Sequence, residues 1–311
     1  MEGPSSARRI SLLDVTPPEL IWIVGYRAEM VGEDGRRAVS KEFMSHSNVD
    51  WDVDAHSRLV VWTEKSSPRL FTLSQGQLAI RFPKGFGIPV MSNEAFVLSN
   101  QVLNHNVADI NINVRHKVTF DYILDRDRKA PMKALFPKGA FVLVLLEGKD
   151  GYFNVDTPNE TQKHASCLPG KDAGQGNVIY RDAFGRIFSG HWVVPVGRQE
   201  EHTLVLWIPY DTTVHFISVH VHPFCESLEL RDLTTGRTVF KSRARPSTKG
   251  IGLEHVDYFS SEEGLPIYKD HQYELVSIYN NTSPVTQDAM ATIGLYLLDK
   301  GFKRPERAAQ R

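Results

Sequence analysis

The chain has 311 residues, of which 41% are hydrophobic and 23% charged, with 17 prolines. That length exceeds what one hydrophobic core usually supports, so two domains of about 150 residues each are expected, and the composition excludes a disordered or fibrous protein. Lys and Arg total 36 against 37 Asp and Glu, a formal net charge of -1; with no long block of like charge, nucleic acid and membrane surfaces are not the expected partners.

No apolar run approaches the roughly 18 residues of a membrane span, so none is expected. The N-terminal stretch carries Arg8 and Arg9 without an apolar segment behind them and does not read as an intact secretory signal. The reading left is a cytoplasmic protein, or a secreted or periplasmic one whose leader has been removed. Cys167 and Cys225 are the two cysteines; a bridge between them stays open and does not settle the redox compartment.

Short runs rich in Val, Ile, Phe, Tyr and Thr recur between Gly, Pro, Asn and Asp clusters, and helical periodicity is nearly absent. In chain order the runs predict strands at 20–30, 58–62, 77–82, 95–103, 110–124 and 140–146. A second set follows at 190–195, 202–208, 213–222, 227–232, 238–242, 272–280 and 290–298. The fold class expected is all-β, with two jelly-roll-like antiparallel β-sandwich domains in tandem. The domains are placed at 18–156 and 178–300, joined by a turn-rich linker at 157–177 and followed by a flexible charged tail at 301–311. No residue-level repeat relates the two halves.

The segment 213–223 carries the most chemistry. In a strand, residues two apart share a face, so His220 and His222 point the same way with Cα atoms about 6.6 Å apart, a spacing at which two imidazoles converge on one ion. His215 points to the other face. Two histidines at an exposed strand end are the plain alternative. Met290 opens a later strand, and thioether sulfur with imidazole suits copper, above all Cu(I), better than zinc, calcium or magnesium. Core packing is the ordinary use of such a methionine.

These residues carry a family resemblance. Residues 190–298 resemble the C-terminal domain of the copper type II, ascorbate-dependent monooxygenases, the family of peptidylglycine alpha-hydroxylating monooxygenase and dopamine beta-monooxygenase. The match is His220-Val221-His222 closing a strand, a return after it, and Met290 opening a late strand. The resemblance implies that His220, His222 and Met290 hold the copper at which oxygen is activated and a substrate C–H bond hydroxylated. Dioxygen, a reductant and a small-molecule or peptide substrate would be the partners.

The family's first domain holds an electron-supplying copper with adjacent histidines and a third from a later strand. Here Ser45-His46 supplies one histidine, Leu103 falls at the third ligand position, and His105 lies one same-face step beyond. His46 and His105 are thus secondary candidates, as is His191, which reaches the metal, bonds a ligand imidazole, or is structural. Two functions follow: a copper-dependent oxidoreductase, or a non-catalytic copper- or ligand-binding jelly-roll protein that has lost the electron-transfer site. A glycan hydrolase on the double jelly roll of peptide-N-glycanase F is a third, resting on fold analogy.

Other segments yield less. The alternating oxygens of 48–54 read as a solvated face, since an EF-hand needs Gly at Ala55 and Glu at Val61. Gly85-Phe86-Gly87 reads as part of a rigid loop between prolines, without the helix a nucleotide fingerprint requires. Asp257, Glu262, Glu263 and Asp270 could include a general acid or base, with exposed loop carboxylates the commoner reading, and no serine-hydrolase elbow or zincin helix is present.

Overall fold

The computed structural model describes residues 2–13, 15–52, 56, 68–108, 112–149, 179–203 and 205–305. Strands dominate them, and the architecture is all-β, built of jelly-roll-like sandwiches.

One sheet is ordered β1 (Glu2–Ser11), β7 (Ala95–Leu103), β3 (Met44–Trp51), β4 (Arg69–Ser74). The largest sheet is ordered β20 (Phe259–Ile267), β16 (Thr212–Val221), β23 (Ala291–Leu298), β9 (Lys133–Phe141), β6 (Phe86–Met91), β2 (Leu20–Gly32), β5 (Ala79–Arg81), and β8 (Val114–Leu124) also pairs β2. A third runs β14 (Gly197–His202), β21 (Gln272–Asn281), β17 (Cys225–Asp232), β18 (Arg237–Pro246), β19 (Leu253–Val256), with β15 (Leu206–Trp207) on β21. Small ladders complete it: β12 (Ile187–Ser189) between β10 (Val144–Leu145) and β11 (Ile179–Arg181), and β13 (Trp192–Val194) on β22 (Gln287–Ala289). Only the short β6–β9 contact is parallel among these ladders.

Period-two alternation explains the layering. On β16 and β23, Ile217, Val219, Val221, Ile293, Leu295 and Leu297 face a C-terminal core with Leu228, Leu230, Leu275 and Tyr279. The opposite faces of the same two strands send Phe216 and Tyr296 into the N-terminal core with Tyr26, Phe71 and Phe82. Tyr296 ties the two halves directly, its hydroxyl donating to the Leu70 carbonyl at 2.9 Å. Each large side chain so buried contributes about 1.5–3 kcal/mol. Because β9 pairs β23 and touches β6, one sheet runs through both halves of the sequence.

Several expectations are corrected. The rigid loop expected at 83–89 gives way from Phe86 onward to β6, Phe86–Met91. The strand tolerates Pro89 because that residue pairs β2 at Trp22, beyond the point where the β9 contact, confined to Phe86 and Gly87, has ended. Asn48, placed on a solvated face, is buried, and Asp50 is bound by Arg69 at 2.5 Å. Glu262 and Glu263 lie on β20 rather than in a loop. The start of the charged tail is docked: Phe302 packs edge-on against Trp22 at 5.5 Å and Arg304 pairs with Asp125. The strand expected at 58–62, the connection at 157–177 and Cys167 lie outside the described residues. Cys225 is a buried thiol donating to the Ser227 carbonyl, and burial pushes its pKa up to about 12. Among the described residues no helix is long and apolar enough to cross a membrane.

Candidate functional site

The face of β16 that carries Phe216 and Ser218 also carries His220, so the histidine is directed toward the N-terminal half. Across the ladder its partner is Thr292, and Val221 pairs Ala291. The ladder continues one step further: the His222 amide donates to the Met290 carbonyl at 3.2 Å. The His222 and Met290 backbones are therefore opposite one another, but Met290 does not line the cleft onto which His220 and His222 open. Tyr279 clamps this end of the ladder, its hydroxyl donating to the Met290 carbonyl at 2.6 Å while accepting from the His222 amide at 3.1 Å. Pro223 then ends the strand, and Phe224 makes the turn at φ 71°, a left-handed conformation unusual for an aromatic residue.

The two rings stand with centroids 5.3 Å apart at an interplanar angle of 77°. For comparison, imidazoles bonded to one tetrahedral ion at about 2 Å place their centroids about 5 Å apart. Nδ1 of His220 is sealed from solvent and has no hydrogen-bond partner. Such an atom is costly unless something meets it.

Both rings line a cleft of about 230 Å³ between the halves, to which the N-terminal half contributes Met44, Ser45, Gln75, Leu103 and His105, and the C-terminal half Phe224, Leu253 and Asp288 besides the two histidines. The cleft is braced by side chains crossing it. Gln77 accepts from the Val219 amide at 3.0 Å, and Gln75 accepts from the Leu253 amide at 3.1 Å while donating to the Glu42 carbonyl at 2.8 Å. Asn106 both accepts from and donates to the Ile251 backbone, at 2.8 and 2.9 Å.

The secondary candidates divide. His105 lines the cleft; His46 does not. A bulge between Met44 and His46 accompanies the placement of Ser45, rather than the histidine, on the cleft wall, and Ser45 Oγ lies 3.2 Å from His46 Nδ1. His191 is buried beside the site, its ring centroid 5.7 Å from that of His222. Asp288, which sequence reasoning missed, joins these two: Oδ2 lies 2.8 Å from His222 Nδ1, and Oδ1 lies 3.5 Å from His191 Nδ1. The one signal for it was a carboxylate two positions before the methionine, too common to single out. His215, expected on the other face, sits at a bulge and stacks on Phe86 at 4.1 Å.

The electrostatics follow from burial. Burial pushes His220 well below its usual value, with the nearby His222, His46 and His191 acting in the same direction. Burial likewise pushes His46 down to about 3, helped by Arg69, and His105 down to about 4. Burial alone would raise the Asp288 carboxyl, but the adjacent His222 and, more weakly, His191 hold it well below the usual carboxylate range. Burial thus keeps His220, His46 and His105 neutral, the form that ligates metal. Among the described residues, however, no three His, Cys, Asp or Glu side chains form a group able to hold a metal ion.

What fold and site define is an all-β sandwich protein with a histidine-lined cleft between its halves. No protein-family model matches the chain, and no curated protein matches it. Among solved structures, the major capsid protein P2 from bacteriophage PM2 aligns over 97% of this chain and 95% of that chain, at 8% identity and a TM-score of 0.34.

Proposed function

We propose that this protein is a copper-binding oxidoreductase similar to the copper type II, ascorbate-dependent monooxygenases, holding a single copper through His220, His222 and Met290. The observation that carries the reading is the pair of rings at 5.3 Å on the cleft wall, one of them with a sealed and unpartnered nitrogen. Among the described residues no three His, Cys, Asp or Glu side chains could hold a metal ion, so copper here would require the Met290 thioether beside the two imidazoles. The ladder brings the Met290 backbone opposite His222, so the thioether would have to turn toward the cleft, which Met290 does not line, to be the third donor. Copper so held would supply redox chemistry toward dioxygen and a small-molecule or peptide substrate in the cleft, at the expense of a reductant. The chain's own part is to fix the rings, keep that of His220 neutral by burial and wall the site with Leu103, Phe224 and Leu253.

A specific observation favours a second reading, a non-catalytic copper-binding or ligand-binding protein. Ser45 takes the cleft position beside His46, and Leu103 lines the cleft where a third histidine would be needed for an electron-supplying copper. His46 and His105 do not share the wall of one cleft.

Metal analysis decides first: about one copper per chain is expected, with loss in His220→Ala His222→Ala and weakened binding in Met290→Leu. Equal uptake by the double variant, or none by the wild type, overturns the reading. Oxygen consumption by the copper-loaded protein with ascorbate then separates the two functions; tight binding without turnover favours the non-catalytic protein.

A further inference from the structure

We propose that Asp288 is a positioning residue that fixes the tautomer of His222, taking the proton of Nδ1 so that Nε2 carries the lone pair. As a statement about copper this rests on the reading above; as a statement about the imidazole it stands alone.

The geometry is built by backbone pairing. β22 is three residues long and pairs β13 in the register Trp192 with Ala289 and Val193 with Asp288, which sets Asp288 beside the end of the chain that carries His191. Asn281 holds the turn before β22, donating to the carbonyls of Val194 and Val285 at 3.1 and 2.7 Å. From the other side, Tyr279 and the His222 amide hold the carbonyl of Met290, two residues past Asp288. The carboxylate therefore sits at a place fixed at both ends, with its side chain 29% exposed toward the cleft and Oδ1 sealed.

An ionised carboxylate only accepts hydrogen bonds. With Oδ2 at 2.8 Å from Nδ1 of His222, an acceptor-only group beside that nitrogen selects the tautomer protonated there. In a neutral imidazole the other nitrogen then carries the lone pair. A carboxylate on the far nitrogen of a ligating histidine fixes the ring's orientation and raises its basicity, and losing such a partner typically weakens metal binding 10–100-fold. Oδ1 of the same carboxylate lies 3.5 Å from His191 Nδ1 without a hydrogen bond between them, so the anion's close contact is with His222.

The test reads the tautomer itself. Nitrogen NMR of the full chain with ring-labelled histidine is expected to report His222 as protonated at Nδ1 in the metal-free wild type. In Asp288→Asn, whose amide both donates and accepts, that preference should be lost. Copper affinity should fall 10–100-fold in Asp288→Asn while His191→Gln, which keeps the Asp288–His222 contact, loses much less. A wild-type His222 protonated at Nε2 overturns the proposal whatever the variants do, as does an Asp288→Asn chain whose tautomer and copper affinity match the wild type. If the wild type takes up no copper yet His222 shows the Nδ1–H form and loses it in Asp288→Asn, the copper reading fails and the role of Asp288 stands.

Discussion

Replacing Tyr279 by Phe removes one oxygen from the place where the two candidate strands are locked together. The ring is 1% exposed and stays in place in the variant, so no cavity opens. What goes are two hydrogen bonds, the hydroxyl donating to the Met290 carbonyl at 2.6 Å and accepting from the His222 amide at 3.1 Å. Those backbone groups remain bonded to each other at 3.2 Å, so neither is left bare. Two net contributions of about 1 kcal/mol each then set the cost at about 1–2 kcal/mol, well short of stranding two buried polar groups. Urea unfolding followed by tryptophan fluorescence should show a lower midpoint with an unchanged slope. Amide exchange should quicken at His222 ahead of the core amides of β16. A loss below about 0.3 kcal/mol refutes the clamp, and one above about 4 kcal/mol refutes the claim that the amide–carbonyl bond survives it.

Other consequences concern charge and packing. Glu229 is buried on β17, and although burial raises its carboxyl, hydrogen bonds from Arg231, Thr238 and Lys241 bring it down to about 2 from an ordinary 4.5. A depressed folded value means stability that is complete above about pH 4.5 and lost as the pH falls toward 2. Glu229→Gln should therefore cost on the order of 2 kcal/mol at pH 7, and the gap from the wild type should close across that acid window in pH-dependent unfolding. Gly294 faces Ser218 on β16, and a Cβ there would lie 2.5 Å from Ser218 Oγ. Gly294→Ala should lower stability by about 1–3 kcal/mol, and adding Ser218→Ala should restore part of it; no loss in thermal unfolding contradicts the close packing. Gln77→Ala removes the acceptor of the Val219 amide and should cost about 1–3 kcal/mol with faster exchange of that amide, and unchanged exchange contradicts the bracing of the cleft.

Much of the fold was legible because alternation is a short-range signal. The run 95–103 coincides with β7, and 213–222 overlaps β16 to within a residue at each end. Strands without that pattern were missed: β3 begins Met44-Ser45-His46-Ser47-Asn48, of which the polar His46, Ser47 and Asn48 are nonetheless buried by the sheet's neighbours. β6 was hidden by its own Gly and Pro, harmless once the neighbouring contact ends early. In the site, His220 and His222 were readable because two-residue spacing fixes a shared face before any tertiary contact exists. Asp288 was not, since its part depends on β22 pairing β13, a meeting of segments nearly a hundred positions apart that no local pattern encodes. The displacement of His46 from the cleft by Ser45 depends in the same way on a one-residue bulge.

X-ray absorption by the copper-loaded chain tests the central claim most directly. A coordination shell of two imidazole nitrogens and one sulfur is expected in the reduced state, with the sulfur absent in Met290→Leu and one imidazole lost in His220→Ala. A shell of nitrogen and oxygen alone in the wild type, unchanged by either substitution, would contradict a site made by His220, His222 and Met290.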